Sequence, residues 1–412
     1  MRSVFYIIVK NFKIFTIILL FFLNNVLLGN NIIDSLENNY EKFKRSINMS
    51  SKFVELDEIS SRKKRYFSAN RQNKWKFPIP YIVDKTLDFF YIQTALSFIT
   101  METCITFTAR ELEIKRRPGI IFVSGHSYKN FIEKKNDKKS QIIKVSLDKY
   151  DIGNLQRKIL YTLGLEFEHC HPDRDHYLKI VYQNIITWKT NLFNIIPEIK
   201  NNAYKVPYDY GSIMHVGKFF SSANNLETIV PKKIPYSNTL GQNEDLSYLD
   251  LKKLNLYYCS KICKKKFPCF NGGYQNPKKC NTCICVRGFF GRHCEYIPQI
   301  DRVCGKVKFY ASNIPNKIKS NGIKNCFYHI LSKIGKKIQI TIELVSIPSF
   351  TNEFCRAQNS LEIKYLFDKT TTGARFCGYV KSLTFISKSD YVIVYYKSKS
   401  RESLFRLSYQ EI

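Results

Sequence analysis

The sequence predicts a mixed α/β domain, followed by a small disulfide-rich module and then an all-β domain. Residues 154–164 carry apolar side chains at the spacing of one helix face, and the apolar runs near Val123 and at 142–145 are typical of strands. Two later segments, 338–342 and 391–395, alternate in the way that half-buried strands do.

Length and cysteine content fit this organisation. The chain has 412 residues, enough for two or three domains, and its hydrophobic fraction of 44% and charged fraction of 24% are typical of a chain that buries a sizeable core. Nine of the 13 cysteines lie between positions 259 and 326. This density indicates an oxidising compartment and small modules built on disulfides.

The N-terminus is typical of a secreted protein. Arg2, Lys10 and Lys13 precede an apolar run at 14–23, which is short for a membrane span and suits the apolar part of a signal peptide. We therefore expect a signal peptide at residues 1–29 and an extracellular protein, with an uncleaved anchor as the less favoured alternative. No later segment has an apolar run long enough to span a bilayer.

Residues 30–65 are polar and end in the basic run 62–65, of the kind that secretory-pathway convertases cut. The alternative is an ordinary solvated charge run. The position of this run, between the signal peptide and the first predicted domain, favours processing. We therefore predict a pro-segment at 30–65 that ends with cleavage after Arg65.

The formal net charge of +31 is high for a chain of this length. A positive surface attracts sulfated glycans, anionic lipids or acidic proteins. The basic residues are spread along the whole chain, however, which favours a compositional bias, with an anionic glycan as a further candidate partner. No aromatic-interleaved nucleic-acid module is present, and we expect no nucleic-acid partner.

The stretch from Arg157 to His169 resembles a zinc-peptidase helix in its residue spacing. Such helices read H-E-x-x-H-x-x-G-x-x-H, where two His share one helix face, the Gly turns the chain and a third His completes the site. The Glu beside the first His is the general base toward zinc-bound water. In this stretch only Gly164 matches the pattern.

Four segments around this stretch occur in the order of one family: Trp75–Tyr81, Thr103–Phe107, Glu168–Asp175 and Tyr208–His215. Together they resemble the astacin family of metzincin zinc peptidases, of the secreted nematode type, from residue 75 to residue 259. Met214 matches the centre of the family's Met-turn. The resemblance implies a two-lobed α/β domain at 66–259, with a cleft between a sheet-bearing upper lobe and a lower lobe.

By this resemblance the three zinc-ligand positions are Arg157, Tyr161 and Phe167, the general-base position is Lys158, and the Tyr after the Met-turn is replaced by Val216. Phe167 has no lone pair for a metal, and Arg157 stays protonated and repels a dication. Tyr161 would have to lose a proton near pH ~10, and Lys158 would need a strongly lowered pKa. We therefore expect no intact catalytic residue or metal ligand, and aromatic bulk from Tyr161 and Phe167 in the former metal cavity.

His169, Cys170 and His171 are the alternative set of metal-ligating residues. Adjacent side chains do not converge easily on one tetrahedral ion. We favour the simpler interpretation, in which these are surface histidines beside the charged residues 173–175. No cofactor is then expected, and zinc is expected only if the family's chemistry is retained.

Glu168 matches the residue that receives the mature N-terminus in active members of the family. Its presence implies that the mature domain folds in the family's way. Since Arg157 and Lys158 bring two positive charges to the helix, we expect them to pair with carboxylates such as Glu166 or Glu168.

The six cysteines and the turns of residues 260–296 resemble an EGF-like module. Residues 304–412 contain Thr372–Gly378 (TGARFCG) and resemble a CUB domain, a small β-sandwich. Cys170 is not part of the disulfide pairing that these resemblances imply. The implied pairs are Cys104–Cys259, Cys263–Cys280, Cys269–Cys283, Cys285–Cys294, Cys304–Cys326 and Cys355–Cys377.

The retained framework and the replaced ligand positions together predict a secreted, catalytically inactive astacin homologue. Its partner would be a protein or peptide ligand, matrix, or an anionic glycan. The alternative is an active zinc metalloendopeptidase that uses a shifted metal site. A decaying gene copy without function is disfavoured by the continuous reading frame through the EGF-like and CUB modules.

Overall fold

The computed structural model describes residues 74–125, 140–147, 151–196, 206–349 and 353–412. The predicted signal peptide, the pro-segment and the cleavage site after Arg65 lie outside these residues. The described ranges form a mixed α/β domain, a disulfide-rich module and a β-sandwich, which confirms the predicted fold class.

Four parallel strands form the sheet of the upper lobe, in the order β2-β1-β3-β4. Parallel neighbours need crossover connections. Helix α1 connects β1 to β2, helix α2 connects β2 to β3, and helix α3 follows β4. The bounds are β1 Ile79–Val83, α1 Phe89–Glu102, β2 Phe107–Ala109, α2 Glu111–Arg116, β3 Ile120–Ser124, β4 Gln141–Val145 and α3 Ile152–Thr162.

Helix α3 corresponds to the helix predicted at 154–164, but it begins and ends two residues earlier. It begins earlier because the Asp151 carboxylate caps it and accepts a hydrogen bond from the backbone N–H of Asn154 at 3.0 Å. It ends before Gly164, whose φ of 100° is in the left-handed region that glycine adopts readily. The buried Ile159 and Leu160 face the upper-lobe core.

The lower lobe consists of short elements: α4 Arg174–Tyr177, the antiparallel pair β5 Leu178–Ile180 and β6 Ile229–Pro231, and α5 Tyr248–Leu254. A capping box between Ser247 and Asp250 starts α5, and a π-helical turn at Asn255–Cys259 extends it. The disulfide Cys104–Cys259 ties this end of the lobe to the segment that follows α1.

The disulfide-rich module, predicted to be EGF-like, is a small hairpin, β7 Tyr274–Gln275 and β8 Cys283–Ile284, held by Cys263–Cys280, Cys269–Cys283 and Cys285–Cys294. These are the pairs that the resemblance implied. Its core residues Val286 and Phe289 pack with Ile393 of the sandwich.

Two facing sheets form the C-terminal sandwich, in the orders β11-β13-β18-β15-β16 and β12-β19-β14-β17. Cys304–Cys326 and Cys355–Cys377 cross-link it, again as implied. A two-stranded pair, β9 and β10, precedes it. The bounds are β9 Ile300–Asp301, β10 Gly305–Lys306, β11 Lys308–Tyr310, β12 Asn316–Asn321, β13 Lys324–Leu331, β14 Ile338–Ile347, β15 Ser360–Lys364, β16 Ala374–Phe376, β17 Gly378–Ile386, β18 Tyr391–Ser398 and β19 Leu404–Glu411.

The sandwich is docked on the lower lobe through a buried carboxylate. Asp209 is fully buried and accepts hydrogen bonds from Thr372, at 2.9 Å from the backbone N–H and 3.2 Å from the hydroxyl. Tyr236 donates to the Thr372 carbonyl at 3.3 Å, and a Cβ added to Gly211 would meet the Thr372 side chain at 2.3 Å. The face that contains Thr372 is therefore an internal contact.

None of the helices in the described ranges combines the length and the apolar character that crossing a bilayer requires.

We predict that Asp209→Asn lowers the free energy of unfolding by about 1–3 kcal/mol, because one buried acceptor is replaced by an NH₂ group that faces donors. Chemical denaturation of the purified chain measures this. The exposed Asp173→Asn is the matched control and should change stability by less than about 0.5 kcal/mol. Equal effects of the two changes would contradict a specific role for Asp209 in docking.

Candidate functional site

Helix α3 places Arg157 and Tyr161 on one face, because residues four apart are neighbours on a helix surface. The left-handed turn at Gly164 then brings Phe167 back toward that face: the rings of Tyr161 and Phe167 are 5.5 Å apart, with an angle of 32° between their planes. Phe167 is buried and Tyr161 is half-buried. The two aromatic side chains therefore contact each other.

Arg157 joins helix α3 to the lower lobe. Its Nε donates to the carbonyl of Ile213 at 2.6 Å, and its Nη2 donates to the carbonyl of Gln242 at 3.1 Å. Its Nη1 also reaches the Asn154 side chain within the helix, at 3.2 Å. We call the contacts to Ile213 and Gln242 the Arg157 clamp.

Burial lowers the pKa of Arg157, and the carboxylates of Asp151 and Asp250 act in the opposite direction. Since an ordinary guanidinium has a pKa above about 12, Arg157 stays charged at neutral pH. All five of its N–H groups are donors and none of its nitrogens is an acceptor. Arg157 therefore has no lone pair to give to a metal.

Lys158 points to the upper-lobe sheet, where its Nζ donates to the carbonyl of Lys144 at 2.7 Å. Burial lowers its pKa to about 8, although Asp151 opposes the shift. The expected pairing of Arg157 and Lys158 with Glu166 or Glu168 is thus wrong. Both side chains reach backbone carbonyls instead, because those are the acceptors that the neighbouring strand and loop present.

Glu168 has a different partner, Lys253, whose Nζ is 2.7 Å from Oε2. The other carboxylate oxygen accepts from the backbone N–H of Asp209 at 2.8 Å. Burial raises the pKa of Glu168, and Lys253 opposes this. Sequence reasoning did not identify Lys253, since a pair 85 residues apart leaves no signal in spacing.

His169 is 1% exposed, so its interpretation as a surface histidine is wrong. Its ring lies 5.8 Å from Phe193 and 5.5 Å from Phe220, and its Nε2 is 3.2 Å from the Leu192 carbonyl. Burial lowers its pKa well below the ordinary range, so the imidazole is neutral at pH 7. An aromatic enclosure, which periodicity does not reveal, takes this polar residue into the core.

The alternative metal set does not come together. Cys170 Sγ lies 3.3 Å from the Leu192 carbonyl, while His171 accepts from the backbone N–H of Asp173 at 3.2 Å through Nδ1. Across the described ranges, no three or more His, Cys, Asp or Glu side chains are grouped so that they could hold a metal ion.

The Met-turn is buried, with Met214 at 1% and Val216 at 2% exposure. His215 lies 2.7 Å from the Val216 carbonyl through Nδ1 and 2.6 Å from the Tyr208 hydroxyl through Nε2. Burial lowers its pKa to about 4, so the neutral ring donates to the carbonyl and accepts from the hydroxyl. Both nitrogens are therefore used within the fold.

The residues at the family's ligand positions do not fit a catalytic zinc ion. Such a site needs three neutral nitrogen or carboxylate ligands and an open position for water. Here the guanidinium of Arg157 is already hydrogen-bonded to two carbonyls. The phenol ring of Tyr161 contacts the phenyl ring of Phe167. Val216 has no hydroxyl to approach a substrate oxygen. No step of zinc-dependent hydrolysis can be assigned to these side chains.

We predict that Arg157→Ala lowers the free energy of unfolding by about 2–4 kcal/mol, because the carbonyls of Ile213 and Gln242 lose a charged donor. Chemical denaturation measures the change. Arg116 lies on the exposed end of α2. Arg116→Ala truncates the same kind of side chain where it faces solvent, and it should lower the free energy of unfolding by less than about 0.5 kcal/mol. A loss at Arg157 no larger than at Arg116 would contradict the clamp.

Comparison with known families gives two matches. Residues 67–259 match the model of the Astacin peptidase family, and residues 299–409 match that of the CUB domain.

Among curated relatives, zinc metalloproteinase nas-34 of Caenorhabditis elegans is 29% identical over 340 residues, covering 82% of this chain and 55% of that protein. Zinc metalloproteinase nas-23 of the same nematode is 31% identical over 331 residues, covering 77% of this chain and 60% of that protein. The chain thus spans somewhat more than half the length of these relatives.

Among solved structures, the hatching enzyme zinc-protease high choriolytic enzyme 1 of the medaka fish Oryzias latipes is 29% identical. The match covers 44% of this chain and 88% of that one, with a TM-score of 0.39.

Proposed function

Because residues 67–259 of this chain belong to the astacin family of peptidases, and residues 299–409 form a CUB domain, we propose that it is a secreted astacin homologue that has lost peptidase activity and acts by binding. Its relatives are named as zinc metalloproteinases. This chain differs from the family's pattern at every position that carries zinc chemistry.

The observation that carries the proposal is the Arg157 clamp. The side chain at the first ligand position is used for contacts at 2.6 and 3.1 Å that join the helix to the lower lobe. A unit positive charge about 4 Å from a dication is repelled by roughly 8 kcal/mol at an effective dielectric constant of about 20. Arg157 therefore both occupies the site and opposes a metal in it.

Lys158 supports the same conclusion. A general base in this position has to accept a proton at neutral pH. With a pKa of about 8, Lys158 is mostly protonated at pH 7, and its Nζ is directed to the Lys144 carbonyl. The two functions of the motif, metal binding and proton transfer, are therefore lost together.

The proposed partner is an extracellular protein or peptide. Six disulfides support an oxidising, extracellular location. The sandwich face around Thr372 is buried against the lower lobe, so a partner would use the cleft or another face of the sandwich. The surface at the edge strand β17 is one candidate, because Tyr379 on this strand is 72% exposed.

We predict that the chain beginning after Arg65 shows no chelator-sensitive cleavage of an unfolded protein. An active astacin-family peptidase assayed in parallel confirms that the substrate is competent. Chelator-sensitive cleavage by the purified chain would contradict the proposal. If that activity disappeared with His169→Ala or His171→Ala, the alternative of a shifted metal site would be correct.

A further inference from the structure

We propose that the EGF-like module, residues 260–296, carries a binding surface for a sulfated polysaccharide. The module holds eight Lys and Arg residues against one Glu, a net charge of +7 in 37 residues. The whole chain carries +31 in 412 residues, so the positive charge of this module is more than twice as dense as the average. A compositional bias of the chain does not account for that difference.

The disulfide framework brings these charges together. Lys264–Lys266 directly follow Cys263, and Lys278 and Lys279 directly precede Cys280. The Cys263–Cys280 bond holds the Cα atoms of the two cysteines 5.4 Å apart. Since consecutive Cα atoms are about 3.8 Å apart, the Cα atoms of Lys264 and Lys279 lie within about 13 Å of each other.

A further contact holds the segment at 264–266 next to the segment at 278–280. The side-chain amide of Gln275 donates to the carbonyl of Lys265 at 2.8 Å and to that of Cys280 at 2.7 Å. Lysines on a fixed backbone lose less conformational entropy on binding than lysines in a flexible tail. The two lysine segments therefore form one preorganised surface.

Arg292 adds a positive charge next to the Cys280 end of this surface. Its Nε donates to the carbonyl of Asn281 at 2.5 Å, next to Cys280, and its guanidinium lies 5.1 Å from the Phe267 ring. The single acid of the module, Glu295, is directed to the backbone N–H of His293 at 2.8 Å.

Accessibility differs among the lysines. Lys264, Lys265, Lys266 and Lys279 are exposed. Lys278 donates instead to the carbonyls of Thr100 and Met101 at the end of helix α1. The first four lysines are therefore available to a ligand, and Lys278 marks the border of the surface.

A sulfated polysaccharide fits this surface better than a membrane does. Disulfide-bonded modules belong to oxidising compartments, whereas the anionic lipids that attract polybasic segments are concentrated in the cytoplasmic leaflet. Extracellular polyanions carry repeated sulfate groups along one chain, and several hydrated lysine charges in a row match that repeat.

This surface extends the proposed binding role, but it does not depend on the loss of peptidase activity. A chain that cleaved peptides would still have this surface. A failure to bind polysaccharide would leave the proposed inactivity untouched.

The test is retention of the purified chain on immobilised heparin, with elution by NaCl, and affinity for soluble heparin at near-physiological ionic strength, about 0.15 M. The test variant is Lys264→Gln, Lys265→Gln, Lys266→Gln and Lys279→Gln combined. The matched control removes four exposed charges from the sandwich: Lys319→Gln, Lys336→Gln, Lys337→Gln and Lys381→Gln. Lys265→Gln with Lys279→Gln is a second variant in case the fourfold change disturbs folding.

We expect the module variant to lose heparin affinity by about tenfold or more, while the control loses much less. The double variant should fall between wild type and the fourfold variant, and desulfated heparin should bind weakly. Equal losses in module and control variants would show that only net charge matters and would overturn the proposal. Binding to phosphatidylserine vesicles without binding to heparin would also overturn it, in favour of a membrane.

Discussion

The relation between the two lobes depends on one arginine at the position where a metal ligand is expected. A bound zinc ion links the chain segments that supply its ligands. Arg157 makes the corresponding link with hydrogen bonds to the carbonyls of Ile213 and Gln242. The first turn of α3 packs closely against the loop that contains Gln242. A Cβ on Gly153 would be 1.4 Å from the carbonyl oxygen of Asn243. The helix is therefore held to the lower lobe at two points by contacts of the protein itself.

The same contact leads through the lower lobe to the sandwich. The Asp250 carboxylate accepts from the backbone N–H of Ile213 at 2.9 Å, so the residue that receives Arg157 is fixed from both sides. Gln242 donates through its side chain to the carbonyl of Gly211 at 3.0 Å. Asp209, two residues earlier, then binds Thr372 of the sandwich. Arg157 thus belongs to a connected polar framework that joins helix α3, the lower lobe and the sandwich.

The sequence was sufficient for the fold class, since that depends on residue identity and local periodicity. The loss of the zinc motif stays a prediction that depends on residue identity alone. The sequence was insufficient for the partners of Arg157 and Lys158, because backbone carbonyls carry no side-chain signature and Ile213 is 56 residues away. Likewise, the position of His169 in the core depends on Phe193 and Phe220, which only the folded chain brings around it. Local sequence patterns predict helices and strands. Tertiary contacts decide whether a buried Arg or Lys side chain binds a carboxylate or a backbone carbonyl.

The most direct test is the metal content of the mature chain, secreted from eukaryotic cells and measured by mass spectrometry. We expect far less than one zinc ion per chain, and a thermal unfolding midpoint that a chelator does not change, because Arg157 replaces the metal as the link between the lobes. Stoichiometric zinc, removed by the chelator with a fall in the midpoint, would contradict this account.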